Sequence, residues 1–303
     1  MSASGTQFFR GPKSPWTAPV PRDADIDPRS DAYVAMFEDL EPVVSVRRFT
    51  VPVFLADETT PRFTVRPTAE YAVPGYAMEQ VPIPHRAQPD PEDDGHMAVL
   101  DQTSGCVYEF YRAQRTENGW TAEWVNATPA DGDGIYPDGL STRAAGFSNP
   151  IGLIWPDELR AGHIPYALVF AYPFTRADVT VGLATRTDGR STDPAALPIG
   201  AHLRLDPSVD IDALGLSPSE RTIARALQEY GMILADSSGG FTLYAAHPAS
   251  FAADPYPSLF GDVAYAGIGA IPFDRMQVLS LGEPEERYTG PPIPNRCNAA
   301  SVD

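Results

Sequence analysis

Short segments in which apolar and polar residues alternate recur along the chain, and they predict a protein built mainly of β-strands. Three of them follow one another through short polar turns: Gly95–Asp101, Cys106–Arg112 and Trp120–Val125. The last is preceded by Asn118-Gly119, a pair that favours a tight hairpin because both turn residues need positive φ. We therefore predict a three-stranded antiparallel meander in this part of the chain.

The turns of the meander decide which side chains face one another. Closing the second hairpin on a two-residue loop places Tyr111 opposite Asn126 and Ala113 opposite Trp124. Closing the first hairpin about Thr103-Ser104 places Ala98 opposite Glu109. Side chains alternate between the two faces of a strand, so one face is predicted to be apolar core. The other face carries His96, Glu109, Tyr111, Trp120 and Trp124.

The remaining elements are also short. A helix is predicted from Asp27-Pro28 to about Leu40, and a better one begins at the capping box Ser217–Glu220. Further predicted strands are Val46–Leu55, Arg62–Arg66, Tyr166–Tyr172, Ala201–Asp206 and Arg275–Leu281, with a hairpin formed by Met232–Asp236 and Phe241–Ala246. Many short strands with two or three short helices favour a β-sandwich, jelly-roll-like in arrangement.

A proline-rich connector at residues 82–95 separates two unequal parts of the chain. Residues 1–84 contain too few strands to close a core of their own. We expect them to form an N-terminal arm, a helix and strands that pack on a body made by residues 85–303. The interpretation is therefore one domain with an N-terminal extension.

The composition narrows the range of binding partners that this chain could have. The chain has 40 acidic and 22 basic residues and a net charge of −18, which disfavours nucleic acid and anionic membrane surfaces. No apolar run is long enough to span a membrane. The sequence does not indicate an oligomeric state.

Cys106 and Cys297 are the only cysteines, too few for a structural zinc site. Cys106 begins a predicted strand and Cys297 lies in a proline-rich tail. Two unpaired thiols are the favoured interpretation. The alternative, in an exported protein, is a disulfide that holds the tail against the sheet.

His96 and Glu109 are the first candidates for chemistry. In the predicted register they are diagonal neighbours on one sheet face, within reach of each other's side chains. Such a pair can act as a general acid and base, with the carboxylate orienting the imidazole. It can equally supply two metal ligands, or form an ordinary ion pair on a solvated face.

Other residues could complete a site around this pair. Asp236 ends a strand before the turn Ser-Ser-Gly-Gly and is a candidate catalytic acid, although a turn residue there needs no function. Tyr111, Trp120 and Trp124 are candidate platforms for sugar rings, and Tyr166 and Arg204 are candidate substrate contacts. Asp131, Asp133 and Asp138 alternate with glycines as in half of a calcium loop, so calcium is the cofactor that this loop indicates.

Four segments resemble a group of secreted actinobacterial and soil-bacterial proteins: Asp94–Asp101, Gly105–Phe110, Ile164–Phe170 and Ala226–Asp236. The resemblance covers most of residues 82–281 and implies export and a β-rich fold rather than a particular reaction. Members often carry histidine where this chain has Tyr166, so a reaction that depended on that histidine would not extend to this chain. Residues 9–21 also look like the irregular start of a mature secreted protein, and we expect an extracellular location.

The predicted function is that of an extracellular glycoside hydrolase. Glu109 and Asp236 would act as acid, base or nucleophile, and His96 would orient or transfer a proton. A polysaccharide lyase is the second enzymatic alternative. A carbohydrate-binding or cell-surface protein without catalysis, and a metal-dependent enzyme that uses His96 and Glu109 as ligands, also remain open.

Overall fold

The computed structural model describes residues 4–5, 8–9, 11, 14–70, 72, 76–290 and 293–298. Parts of the arm expected at residues 1–26, including much of the segment before residue 14, lie outside these ranges. The described chain forms three sheets and three α-helices.

The strands are short and lie mostly in the central part of the chain. They are β1 (Val43–Ser45), β2 (Val53–Ala56), β3 (Arg62–Pro67), β4 (Met78–Pro82), β5 (Met97–Asp101), β6 (Cys106–Tyr111), β7 (Gln114–Thr116), β8 (Gly119–Ala122), β9 (Trp124–Pro129), β10 (Leu168–Tyr172), β11 (His202–Leu205), β12 (Met232–Ser237), β13 (Thr242–Tyr244), β14 (Tyr265–Gly267) and β15 (Met276–Val278). The helices are α1 (Ser30–Ala35), α2 (Pro156–Ala161) and α3 (Pro218–Glu229).

The largest sheet has seven strands in the order β14-β1-β13-β10-β12-β11-β15. It is mixed, because β1 runs parallel to β13 and β10 runs parallel to β12. Helix α3 precedes β12 and begins with the predicted capping box, in which Ser217 and Glu220 bond each other's backbone N–H groups. Ile223 and Leu227 lie on its buried face, so the helix packs on the core.

Strands β12 and β13 do not form the predicted hairpin. Strand β10 lies between them, parallel to β12 and antiparallel to β13. The error has a physical cause. Two strands joined by a short turn have the same sequence pattern whether they pair with each other or lie on either side of a third strand. The connection at residues 238–241 therefore passes the end of β10, where the Ser238 N–H donates to the Tyr172 carbonyl over 3.3 Å.

The second sheet has the order β2-β5-β6-β9 and contains the predicted meander in part. The pairing of Glu109 with Ala98 is confirmed. The register predicted for the second hairpin is wrong by two residues, since Tyr111 pairs with Trp124 and Glu109 pairs with Asn126. The Asn118-Gly119 turn instead joins β7 to β8, which belong to a third sheet of order β4-β3-β8-β7.

Both faces of the second sheet are buried, contrary to the expectation of one open face. Ala98 and Val107 pack into a large core with the seven-stranded sheet. Val99 and Phe110, on the opposite face, pack into a smaller core with the third sheet. The second sheet is thus a middle layer, and its strands read as nearly continuous buried runs.

The predicted fold class is confirmed: the protein is mainly β and its layered sheets are β-sandwich-like. Helix α1 is shorter than predicted because residues 36–39 continue as turns. No helix within the described ranges is both long and apolar enough to span a membrane.

Cys106 and Cys297 form a disulfide, so the expectation of two free thiols is wrong. The bond joins the start of β6 to the tail, with Cα atoms 5.6 Å apart. The tail is also held by polar contacts, among them Asn298 Nδ2, which donates to Asn126 Oδ1 over 3.0 Å. The side chains of a tail and a strand distant in sequence meet here only through tertiary packing.

Candidate functional site

A cleft of about 910 Å³ lies where the seven-stranded sheet meets the end of the second sheet. Residues of β1, β12 and β13 line it, together with His96, Tyr111 and Trp124. Residues of the loops 141–149 and 186–190 also line it. Of the predicted site residues, His96, Asp236, Tyr111 and Trp124 line this cleft.

Asp236 enters the cleft because of a β-bulge. The register of β10 against β12 shifts after Phe170, which pairs with Leu234, while Ala171 pairs with Asp236. The extra residue, Ala235, interrupts the alternation of β12, and bulges of this kind redirect the side chains that follow them. The carbonyl of Ala235 accepts a hydrogen bond of 3.0 Å from Ala145, which ties loop 141–149 to the bulge.

The carboxyl group of Asp236 is half-buried at the cleft wall. Burial, and then the nearby charge of Asp188, raise its pKa to about 7, although the charge of Arg143 opposes this. Asp94 acts in the same direction as Asp188. Near neutral pH, Asp236 therefore holds a proton that an ordinary aspartate would have released.

Asp188 is an exposed residue that shares the cleft with Asp236. Its Oδ1 accepts a hydrogen bond of 2.7 Å from the Ser237 hydroxyl, so the loop and the strand end are joined. The two aspartates thus differ in environment: Asp236 is half-buried with a raised pKa, and Asp188 is exposed to solvent. A pair of this kind is what acid–base catalysis requires.

Arg143 is buried in loop 141–149 and lines the cleft. Its two terminal nitrogens donate to the carbonyl oxygens of Ile151 and Asn149, each over 3.1 Å. Its guanidinium carbon lies 5.4 Å from the centre of the Tyr244 ring. These contacts fix the loop and hold a positive charge behind Asp236.

Glu109 is completely buried and does not line the cleft. Its carboxylate accepts hydrogen bonds from the Asn149 backbone N–H (2.8 Å), the Tyr136 hydroxyl (3.1 Å) and the Ser148 hydroxyl. Burial raises its pKa to about 7 despite these donors. The catalytic role predicted for Glu109 is therefore corrected, because this residue is not part of the cleft lining and three protein donors already occupy its carboxyl oxygens.

His96 lies opposite Tyr111 and lines the cleft, with the two ring centres 5.5 Å apart. Burial and the charge of Arg143 lower its pKa to about 4, while a hydrogen bond with the Phe110 backbone opposes them. The imidazole is therefore neutral, and its Nδ1 lies 3.3 Å from Asn149 Nδ2. His96 and Glu109 project from the same sheet face as predicted, but they meet through Asn149 rather than directly.

The aromatic residues are distributed differently from the prediction. Trp120 lies on β8 in the third sheet and is buried, so it is not a cleft residue. Trp124 lines the cleft only with the small part of its surface that is not covered, because it stacks on Tyr76. The exposed rings at the cleft are Phe49 and Tyr265, each 39% exposed.

Tyr166 and Arg204 lie outside the cleft. The Tyr166 hydroxyl donates to the carbonyl of Leu153 over 2.7 Å and contacts the Glu158 carboxylate. Arg204 donates to the backbone carbonyls of Pro21 and Arg22. The polar atoms of both residues bond to other parts of the protein, so neither prediction of a substrate contact is supported in this cleft.

The three acids of the glycine-rich loop do not converge on a cation site. Asp131 pairs with Arg296 over 2.6 Å, Asp133 accepts from the Ile135 N–H, and Asp138 accepts from the N–H groups of Leu140 and Ile293. The described residues contain no group of three or more His, Cys, Asp or Glu side chains arranged to hold a metal ion. Each of these carboxylates accepts a hydrogen bond from another group of the protein instead.

Several cleft residues had no signal in the sequence analysis, notably Arg143, Asn149, Asp188, Tyr244 and Phe49. Most lie on loops, where alternation gives no information. One signal was available, because loops longer than about 12–15 residues are often functional and residues 127–150 form such a segment. Phe49 is marked only by the structure: its φ is +50°, and non-glycine residues rarely adopt positive φ.

Comparisons of this chain with protein-family models, with curated proteins and with solved structures found no match.

Proposed function

We propose that this protein is a glycoside hydrolase that cleaves a neutral oligosaccharide or polysaccharide in the cleft, with Asp236 as the general acid and Asp188 as its partner carboxylate. The observation that carries the proposal is the presence of these two acids in one cleft that two exposed aromatic rings also line. Asp236 would donate its proton to the glycosidic oxygen as the bond to the anomeric carbon breaks. Asp188 would either take a proton from the attacking water or attack the anomeric carbon itself.

The electrostatics of the cleft support this division of roles. A general acid must still hold its proton at the working pH, and burial together with neighbouring carboxylates keeps the proton on Asp236. Asp188 is exposed and lies near enough to influence Asp236. The two groups therefore have the different environments on which acid–base pairs depend.

The exposed rings support a sugar as the ligand. Phe49 and Tyr265 present apolar faces to solvent at the cleft, where the flat C–H face of a sugar ring can pack. The strained backbone of Phe49 is held by Asp90, whose carboxylate accepts from the Thr50 N–H over 3.1 Å. Strain retained at an exposed aromatic residue is typical of a binding site.

Charge favours hydrolysis of a neutral glycan over elimination from a uronic acid. The cleft is lined by five acids (Glu41, Asp94, Glu123, Asp188 and Asp236) and three arginines (Arg143, Arg186 and Arg190). Two terminal nitrogens of Arg143 already donate to carbonyl oxygens. With Asp236 protonated, the acids and arginines of the cleft come close to balance, so a polyanionic chain would be repelled mainly by the net charge of −18.

An extracellular location is part of the proposal. The disulfide between Cys106 and Cys297 supports it, because stable disulfides form in oxidising compartments. Polymeric glycans are also met mainly outside the cell.

A turnover assay tests the proposed function. Purified protein is incubated with a panel of neutral glycans (β-glucan, xylan, mannan, galactan, starch) and acidic glycans (pectate, alginate), and reducing ends are counted. We expect hydrolysis of a neutral glycan, a loss of at least about 100-fold in Asp236→Asn, and a similar loss in Asp188→Asn. Asp274→Asn, which changes an exposed aspartate outside the cleft, is the matched control and should keep full activity.

The anomeric form of the first product, followed by NMR, separates the two roles open to Asp188. Absorbance at 235 nm from unsaturated products of pectate or alginate would support the lyase alternative instead. Binding without turnover by the unaltered protein would support a carbohydrate-binding protein. Full activity in Asp236→Asn would refute the assignment of the acid.

A further inference from the structure

Asn149 is held at four points by the protein, yet one of its polar atoms has no partner. Its backbone N–H donates to Glu109, its carbonyl accepts from Arg143, and its side-chain Nδ2 bonds Thr142 and lies beside His96. The remaining atom, Oδ1, is buried and has no hydrogen-bond partner within the described part of the chain. Asn149 is only 1% exposed and lines the cleft.

An amide oxygen in this position needs an explanation, since buried acceptors almost always have a donor. Two groups face Nδ2 of this amide. Thr142 Oγ1 accepts from Nδ2 over 2.7 Å, and the neutral His96 ring presents Nδ1 at 3.3 Å. Both contacts lie on the Nδ2 side of the amide, which leaves Oδ1 on the other side.

We infer that Asn149 Oδ1 is a ligand-recognition group that accepts a hydrogen bond from a hydroxyl group of the substrate. His96 and Glu109 are then positioning residues, because one holds the side chain of Asn149 and the other holds its backbone. This inference rests on the proposed function and adds the substrate class of one subsite, namely a neutral sugar unit with a free hydroxyl at that point.

The chemistry of the subsite excludes a carboxylate there. A uronate carboxylate at this point would place acceptor oxygens against Oδ1, and the exposed carboxyl group of Asp188 lies in the same cleft. A hydroxyl supplies the missing donor without adding charge. Discrimination should be strong, since a site with a buried polar group rejects ligands that leave the group unpaired.

Binding measurements on two variants of one position test the inference. The probes are methyl glycosides of glucose, galactose, mannose and xylose, with methyl glucuronide and methyl galacturonide as acidic counterparts, measured by calorimetry. Asn149→Leu removes the acceptor at nearly constant volume, and Asn149→Asp keeps an oxygen at the Oδ1 position. Circular dichroism and the melting temperature show whether each variant has folded.

We expect at least one neutral glycoside to bind and both uronides to bind at least tenfold more weakly. Asn149→Leu should weaken binding of the neutral glycoside by about 3–10-fold, the value of one hydrogen bond. Asn149→Asp should bind it within about threefold of the unaltered protein, a rescue that a merely structural role of Asn149 does not explain. If Asn149→Leu is not folded, Thr142→Val, which removes a contact that fixes the amide, should weaken binding instead.

Two results would overturn the inference: equal binding to Asn149→Leu and to the unaltered protein, or a uronide bound as tightly as the neutral glycosides. The outcome is separable from that of the proposed function. Turnover that needs Asp236 but is indifferent to Asn149 removes the subsite and keeps the hydrolase. Binding that needs Asn149 without any turnover keeps the subsite and removes the hydrolase.

Discussion

The backbone N–H of Asn149 donates to the carboxylate of Glu109 over 2.8 Å. This bond joins loop 141–149 of the cleft to strand β6 of the middle layer. It gives the buried Glu109 a structural role. Two hydroxyl groups, from Ser148 and Tyr136, complete the set of donors around Glu109. A buried carboxyl group with three donors holds the loop in place. Because this loop lines the cleft, Glu109 helps to set the shape of the cleft.

Activity should depend on pH through Asp236. Its pKa is raised to about 7, and a general acid works only while protonated, so kcat should fall as the pH rises through about 7. The measurement is the initial rate on the best neutral glycan between pH 4 and 10. A rate that stays level up to pH 9 would show that another group supplies the proton.

Stability should depend on pH through Glu109. Its pKa rises from 4.5 to about 7 on folding, so the folded protein retains a proton that the unfolded chain releases. The stabilisation from this group is complete below pH 4.5 and is lost as the pH rises to about 7. Relative to the unaltered protein, Glu109→Gln should gain on the order of 3 kcal/mol in unfolding free energy across that window.

Urea unfolding at several pH values measures this difference. His96, whose pKa is lowered, acts in the opposite direction between pH 6.5 and about 4, but it is present in both proteins and cancels. Glu38→Gln changes an exposed glutamate outside the site and is the matched control, with a level difference curve expected. A level curve for Glu109→Gln as well would contradict the raised pKa.

Phe49 should contribute to binding more than to stability. Burying its exposed ring against a sugar is worth about 1.5 kcal/mol or more, so Phe49→Ala should raise KM about tenfold and leave kcat nearly unchanged. Phe174, 38% exposed against 39% for Phe49, lies outside the cleft lining and provides the control Phe174→Ala. Equal effects of the two changes on KM would remove Phe49 from the site.

The disulfide should stabilise the whole fold, because it closes a span of 191 residues. Replacing both Cys106 and Cys297 with serine should lower the unfolding free energy by about 2–5 kcal/mol. A reducing agent should have the same effect on the unaltered protein and none on the double variant. Loss of stability without any sensitivity to the reducing agent would mean that the serines, and not the missing bond, are responsible.

Gly200 and Gly215 form a matched pair for the effect of close packing. Both have positive φ, of 91° and 69°, but an added Cβ would lie 1.9 Å from the Val181 carbonyl oxygen at Gly200 and near nothing at Gly215. Gly215→Ala should cost about 1 kcal/mol from backbone strain alone. Gly200→Ala should cost at least about 3 kcal/mol, measured by urea unfolding, and equal losses would contradict the close contact.

Local patterns in the sequence were sufficient for some elements and misleading for others. The capping box at Ser217 and the pairing of Glu109 with Ala98 depend on neighbouring residues and short turns, and both were predicted correctly. The Asn118-Gly119 turn also forms, but the strand it leads into belongs to a different sheet. A turn signal fixes the local geometry and does not determine which sheet a strand joins.

The sequence by itself determined the mainly β class, the strong helix, and the placement of His96 and Glu109 on one sheet face, because these follow from side-chain alternation and capping. Tertiary structure alone decided that a second layer covers that face and buries Glu109, that β10 inserts between β12 and β13, and that a bulge directs Asp236 into the cleft. The physical reason is the range of the interactions. Alternation and capping act over a few residues, whereas burial and the neighbours of a carboxyl group depend on segments brought together from distant parts of the chain.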